Sequence, residues 1–507
     1  MTSNHALPVA VIGAGPVGLA AAAHLLERGI TPLVLEAGPT PAHAVRAWGH
    51  VRLFSPWRYN IDSAARRLLG TIGWTEPDPD ILPTGAELVR GYLDPLAHVP
   101  ALAAAIRTGT RVVAVSRSGL DKTRTANRAQ TPFLVRTQSA LGLQDHLVRG
   151  VIDASGTWDR PNPLGTAGLA APGEAEARAA GLITAPLPDA AGRDRETFTG
   201  QRVLVVGAGH SAANPLLDLA AAGTPEILWA VRSRSAEHVY GGGDMDGLPA
   251  RGALGTRLRE LVRSGTVQLH TSFTITGFEL VSGPGTDRLK VTAAGGTALT
   301  VDRVVPATGF RPDLDMLAEV RLDLDPAVDA PRQLGPLIDP EFHSCGTVAP
   351  HGARMLAHPD PDFYIAGMKS YGRAPTFLMA TGYEQVRSIA AALAGDQAAA
   401  DAVELVLPET GVCSSDIGTS CDTGTNATVE NGASSCCAPE PVQSEVAAAS
   451  SCCAPEPAAA APSSSCCTPE PAPQPVTLGF PTGLEHGRAG RDQAALREQA
   501  GQDAGPG

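Results

Sequence analysis

The apolar positions of this chain open in a short unbroken run, Val9–Ile12, followed by a glycine turn and an alanine- and leucine-rich stretch from Val17 to Arg28. The short run before a glycine turn reads as a strand, and the longer stretch as a helix. Pro32–Glu36 is the next strand, which completes a βαβ unit. The same pattern returns later as strand Arg202–Val206, turn Gly207–Gly209, helix Ser211–Ala222 and strand Ile227–Val231. Between the two units, Arg111–Arg117, Pro132–Gln138 and Leu147–Ser155 predict a β-meander. The second half carries a matching set at Val267–Leu280, Arg288–Thr292 and Leu299–Pro306. Beyond Pro306 there is no third glycine turn, and a helix is expected over Phe377–Leu393, so the chain should end back on the first unit.

Periodicity stops near Gly395. Ala, Pro, Ser, Thr and Glu then dominate, which predicts a disordered tail. The fold expected is α/β: two doubly wound, Rossmann-like domains with β-meander insertions, plus a disordered Cys-Pro-rich C-terminal tail. The first domain is discontinuous, residues 1–165 and 305–395. The second, with its linker, spans 166–304, and the acidic tail covers 396–507.

Charge changes the picture once it is divided. The chain has 507 residues and a net charge of −13, but residues 401–507 hold fourteen acids against three arginines. A near-neutral body and an acidic tail argue against nucleic acid and anionic membrane surfaces as partners. No apolar run approaches the roughly 20 residues of a membrane span. The N-terminus lacks the positive start of a signal peptide, so a cytoplasmic protein is expected.

Eight of nine cysteines lie in the tail, and Cys345 alone lies in the body. Three near-copies of one octapeptide carry six of them: Ser434–Pro441, Ser450–Pro457 and Ser464–Pro471. In a reducing compartment such vicinal pairs stay as thiols. Cys436, Cys437, Cys452, Cys453, Cys466 and Cys467 thus form a candidate site for a soft ion, with Cys413 and Cys421 as further donors. Trivalent arsenic, Cu(I) and Zn(II) all suit thiolates. Cys345, between His343 and His351, is a candidate substrate contact or a small buried hydrophobe.

The two glycine motifs carry the cofactor chemistry. In Gly13-Ala14-Gly15-Pro16-Val17-Gly18, Gly13 permits the tight turn, Gly15 lets a pyrophosphate approach the backbone, and Gly18 lets helix and strand pack closely. Glu36 ends the next strand, placed to accept hydrogen bonds from a ribose. The second motif, Gly207-Ala208-Gly209-His210-Ser211-Ala212, ends in alanine. Its second strand runs out into Arg232 and Arg234 instead of an acid, which favours the 2′-phosphate of NADPH over NADH. Two dinucleotides in one chain imply hydride transfer from a nicotinamide to a second cofactor, and flavin is the natural candidate.

Two strand-to-turn signatures, Val151-Ile152-Asp153-Ala154-Ser155-Gly156 and Val304-Val305-Pro306-Ala307-Thr308-Gly309 extended to Asp313, complete a resemblance. Residues 8–395 resemble the two-dinucleotide-binding flavoproteins, which include flavin monooxygenases and thioredoxin-reductase-like enzymes. The resemblance implies FAD on Gly13, Gly15, Gly18 and Glu36, and NADPH on Gly207, Gly209, Ser211, Ala212, Arg232 and Arg234. It places Leu53–Asn60 around the isoalloxazine, with Trp57 as a stacking candidate and Asn60 as a hydrogen-bonding one. The body lacks the cysteine pair of the disulfide reductases. Phe198-Thr199-Gly200 begins the monooxygenase fingerprint without its histidine. With the Cys-Cys tail, the chain resembles the flavin monooxygenase-like proteins of bacterial arsenic resistance, the ArsO type. That implies oxygenation of a soft small-molecule substrate such as a trivalent arsenical. The alternatives are a flavin reductase serving a disulfide, quinone or arsenical, and a metalloid-binding or delivery protein.

Overall fold

A computed structural model describes residues 6–241, 249–283, 287–341, 348–375 and 377–405. Strand β1 (Val9–Ile12) leads through the first glycine turn into the helix Pro16–Glu27, and the chain returns as β2 (Pro32–Leu35). Then come β3 (Ile106–Arg107), β4 (Arg111–Arg117), β5 (Phe133–Ser139), β6 (Gly142–Val148) and β7 (Gly150–Asp153). The second half repeats the plan: β8 (Arg202–Val206), the helix His210–Ala221, β9 (Glu226–Ala230) and β10 (Val267–His270). It continues with β11 (Ile275–Val281), β12 (Arg288–Ala293), β13 (Ala298–Val301) and β14 (Arg303–Pro306), and β15 (Phe363–Ile365) comes last.

Two parallel sheets result, ordered β15-β7-β1-β2-β3 and β10-β9-β8-β14. β1 and β7 are buried at every position, which is why their sequences read as continuous apolar runs rather than alternating ones. Ile12 pairs with Leu35 on one side and Asp153 on the other. Strand order therefore reverses at β1, and the glycine turn leaves from the carboxyl edge at that switch point. In the second sheet Val206 sits between Ala230 and Pro306.

The meanders differ from expectation in the same way twice. Leu147–Ser155 reads as one strand, yet Leu147 and Val148 close the antiparallel trio β4-β5-β6, and after Arg149 the chain enters the parallel sheet as β7. Leu299–Pro306 likewise divides into β13 and β14, and Val267–Leu280 into β10 and β11. The division lies in burial, since β6 is mostly exposed and β7 wholly buried. An apolar run cannot say which sheet takes its backbone hydrogen bonds.

The last segment does return to the first sheet. β15 pairs with β7, and the helix Met379–Leu393 lies on the helix Pro16–Glu27. Gly382 allows that approach, because a Cβ there would stand 2.6 Å from a Val17 methyl. The packed chain then runs past residue 396, where the tail is expected to begin. A short helix, Gln397–Asp401, is capped by Asp396, whose carboxylate accepts from the Ala399 N–H. Arg387 and Ser388 donate to the carbonyls of Ala399 and Ala400. The tail cysteines, His343 and Cys345 lie outside the described residues.

The two crossings between the sheets are tied together. Asn162 donates from its backbone to Gly309 and from its side chain to Thr308, whose hydroxyl donates back to the Asn162 carbonyl. Trp158 and Phe310 stack beside them at 5.2 Å. Among the described residues, no helix is long and apolar enough to cross a membrane.

Candidate functional site

The three glycines of the first turn serve three different needs. Gly13 has φ +95°, and a Cβ there would stand 2.9 Å from the Ala154 carbonyl oxygen. At Gly18 a Cβ would come within 1.9 Å of the Gly13 oxygen, so helix and turn meet through bare backbone. Gly15 has no protein atom within 4 Å of where its Cβ would be. The space a side chain would fill is open, and it adjoins a helix N-terminus with no side-chain cap. Unpaired N–H groups and the positive dipole end therefore face that cradle, which fits a pyrophosphate.

Glu36 is held over this turn. One carboxylate oxygen accepts from the Ala14 N–H and the other from the Gly38 N–H, both at 2.7 Å. Each oxygen keeps lone pairs for ribose hydroxyls. The second turn repeats the scheme. Gly207 has φ +142°, and a Cβ would meet the Ala307 oxygen at 2.1 Å, while Gly209 opens onto free space. Ala212 is buried where the third glycine would stand, and Ser211 is half-buried beside it. Trp229 donates its indole N–H to the Gly207 carbonyl at 2.8 Å, bracing the turn. Arg232 and Arg234 follow β9, are exposed, and make no ion pair or hydrogen bond among the described residues.

The segment Leu53–Asn60 joins the two halves. Phe54 meets the His210 ring edge-on at 5.3 Å, at the start of the helix His210–Ala221. Trp57 is buried, with its ring edge against Gly91, and it lines a cavity of 370 Å³ with Ile81, Glu87, Arg90 and Gly91. Asn60 is fully buried and braces the loop. Its amide donates to the carbonyls of Ser55 and Pro56 at 2.7 and 3.0 Å, and its oxygen accepts from the Ser55 hydroxyl. Tyr383, from the last long helix, donates to the Asn60 carbonyl at 2.9 Å.

Two polar groupings at the ends of β7 and β15 escape sequence reasoning. Lys369 and Asp153 form an ion pair at 2.6 Å with both side chains wholly buried, and Ser155 bonds to each. Next to it, Gln385 accepts from the Gly367 N–H and donates to Ser370 and His351. Burial pushes the His351 pKa down, so the ring is a neutral acceptor at Nε2 while Nδ1–H meets the Ala349 carbonyl. The available signal was an acid inside an otherwise apolar strand, which requires a buried partner.

Residues 10–333 match the model of the pyridine nucleotide-disulphide oxidoreductases, Pyr_redox_3, and the chain belongs to that family. It is an FAD- and NAD(P)H-dependent oxidoreductase. Among curated proteins, none matches it in sequence. Solved structures share the fold. The bacillithiol disulfide reductase Bdr (YpdA) of Bacillus cereus superposes with a TM-score of 0.57 at 20% identity, over 77% of this chain and 99% of that one. Its Staphylococcus aureus counterpart gives 0.54 at 18% identity, with coverage of 77% and 99%. DfoA of Erwinia amylovora, a cadaverine monooxygenase bound to FAD, gives 0.54 at 14% identity over 80% and 98%.

Proposed function

We propose that FAD lies on the first glycine turn and NADPH on the second, and that the enzyme oxygenates a soft nucleophile, with a trivalent arsenical as the favoured substrate. Bound flavin supplies the chemistry of passing a hydride's two electrons to oxygen. In balance, NADPH, a proton, O₂ and the arsenical give NADP⁺, water and the pentavalent oxide. The chain's own part is to hold and orient. Glu36 takes a ribose, the open cradles at Gly15 and Gly209 take pyrophosphates, and Arg232 and Arg234 clamp the 2′-phosphate. Phe54 on His210 keeps the flavin loop against the nicotinamide side. We assign the Cys-Cys repeats and the acidic tail to capture of the arsenical, which raises its concentration near the body.

The observation that carries this reading is the division of the cysteines. Residues 1–400 contain one cysteine, so the body cannot form a dithiol at the flavin, while the tail repeats a thiol pair three times. A second reading, transfer of electrons to a disulfide or arsenical without oxygen, is favoured by the fold shared with the bacillithiol disulfide reductases. The purified yellow protein separates the two when NADPH oxidation and oxygen uptake are followed together. Methylarsenite should accelerate both in matched amounts. Acceleration that persists without oxygen would favour the reductase, and indifference to arsenicals would remove them as substrates.

A further inference from the structure

β1 has β2 on one side and β7 on the other. A dinucleotide with its pyrophosphate over the first glycine turn and its adenosine ribose at Glu36 must carry its other half toward the ends of β7 and β15. Asp153, Ser155 and Lys369 meet at that edge, and Ser155 adjoins the turn itself, its Cα 3.0 Å from where a Gly13 Cβ would stand. Lys369 Nζ donates to one Asp153 oxygen at 2.6 Å, and the other accepts the Ser155 N–H and hydroxyl at 3.1 and 2.6 Å.

Stability is a poor account of this pair. Withdrawing an ammonium and a carboxylate from water is costly, and apolar replacements are often no less stable. Hydrogen-bond capacity gives a better one. A hydroxyl has one proton to donate and two lone pairs. The Ser155 proton goes to Asp153, and one lone pair takes the Lys369 ammonium at 3.1 Å. One lone pair remains, on a residue that is itself exposed. Ser155 is thereby fixed as a pure acceptor. It can receive a sugar hydroxyl and cannot donate to a phosphate oxygen.

We infer that Asp153 and Lys369 are positioning residues that orient Ser155 to accept a hydrogen bond from a ribityl hydroxyl of FAD. This rests on the reading that FAD occupies the first turn.

The test is FAD affinity of the apoprotein, read from quenching of flavin fluorescence. Ser155→Ala leaves the ion pair in place and should raise the Kd about tenfold, the worth of one neutral hydrogen bond. With FAD analogues lacking the 2′-, 3′- or 4′-hydroxyl of the ribityl chain, the same substitution should cost nothing further against one of them. An undiminished loss against all three would overturn the assignment. The exchange Asp153→Leu with Lys369→Met should keep the melting temperature and still weaken FAD to the Ser155→Ala level. Full FAD affinity in that folded double variant would also overturn it. Glu36→Ala serves as the control on the underlying reading: it should weaken FAD against every analogue, and unchanged FAD binding would show that the flavin lies elsewhere.

Discussion

Arg232 and Arg234 stand exposed and unpaired among the described residues at the end of β9, where an acid would repel a 2′-phosphate. Losing both, as Arg232→Ala with Arg234→Ala, should raise the apparent KM for NADPH roughly 10- to 100-fold and leave that for NADH nearly unchanged. Equal effects on both cofactors would dismiss the clamp. The glycines make a sharper pair. Gly15→Ala adds a methyl to empty space, so the melting temperature should hold while FAD binding falls. Gly18→Ala drives a methyl into the Gly13 carbonyl and should cost stability first. These residues were legible in sequence because their reasons are local, a turn, a cradle and a close approach within six positions. Asp153 and Lys369 were not, because the partners are 216 residues apart and only the sheet brings them together.

At the scale of elements, a buried ion cluster fastens the first meander to the loop before β15. Asp360 accepts from Arg128 through both oxygens, from Arg117 and from the Arg321 N–H, and Arg117 also lies over the Phe133 ring at 3.6 Å. Burial alone would raise the Asp360 pKa, but these donors outweigh it and hold the carboxyl below its usual range. Asp360→Ala leaves two buried guanidinium groups uncompensated and should cost about 3–5 kcal/mol in urea unfolding. A loss under 1 kcal/mol, the range of exposed pairs, would mean that water reaches the cluster.

His358, two residues away, gives the same region an acid limit. Burial pushes its pKa down to about 4, while its Nδ1 accepts from the Asp323 N–H. An unfolded histidine titrates near 6.5, so the unfolded chain binds the extra proton between about 6.5 and about 4. Stability therefore falls as pH drops through that window. His358→Asn keeps an acceptor and does not titrate, so its melting temperature should fall less between pH 7 and pH 5 than that of the parent. Parallel slopes would assign the acid sensitivity elsewhere. The buried strands β1, β2, β8 and β9 were marked by their apolar runs, whereas β3 and most of the exposed, polar β6 were not. Sheet membership was not marked, because β6 and β7 differ in burial, and burial depends on the neighbours that each strand acquires.

For the whole molecule, the end of the packed body matters. Arg387, Ser388 and Glu384 bond to backbone groups of residues 399–404. A chain ending at Gly395 should therefore melt lower than one ending at Leu405, by about 1–2 °C for a loss of about 1–2 kcal/mol in hydrogen bonds. The chain ending at Leu405 should keep NADPH oxidation and lose thiol-dependent arsenic binding, which equilibrium dialysis with arsenite measures. Retained arsenite binding would move the metalloid site into the body. The start of the tail was not legible in sequence, because the packing of residues 397–405 depends on contacts to the last long helix that no local pattern encodes.

Isotopically labelled oxygen tests the central claim most directly. The enzyme would turn over NADPH and methylarsenite under labelled O₂, and the arsenical product would be analysed by mass spectrometry. Transfer of one labelled atom into the pentavalent product, with one NADPH consumed per molecule, is the result that NADPH-driven oxygenation at the flavin requires. Label found solely in water or peroxide, with the arsenical unchanged, would contradict it.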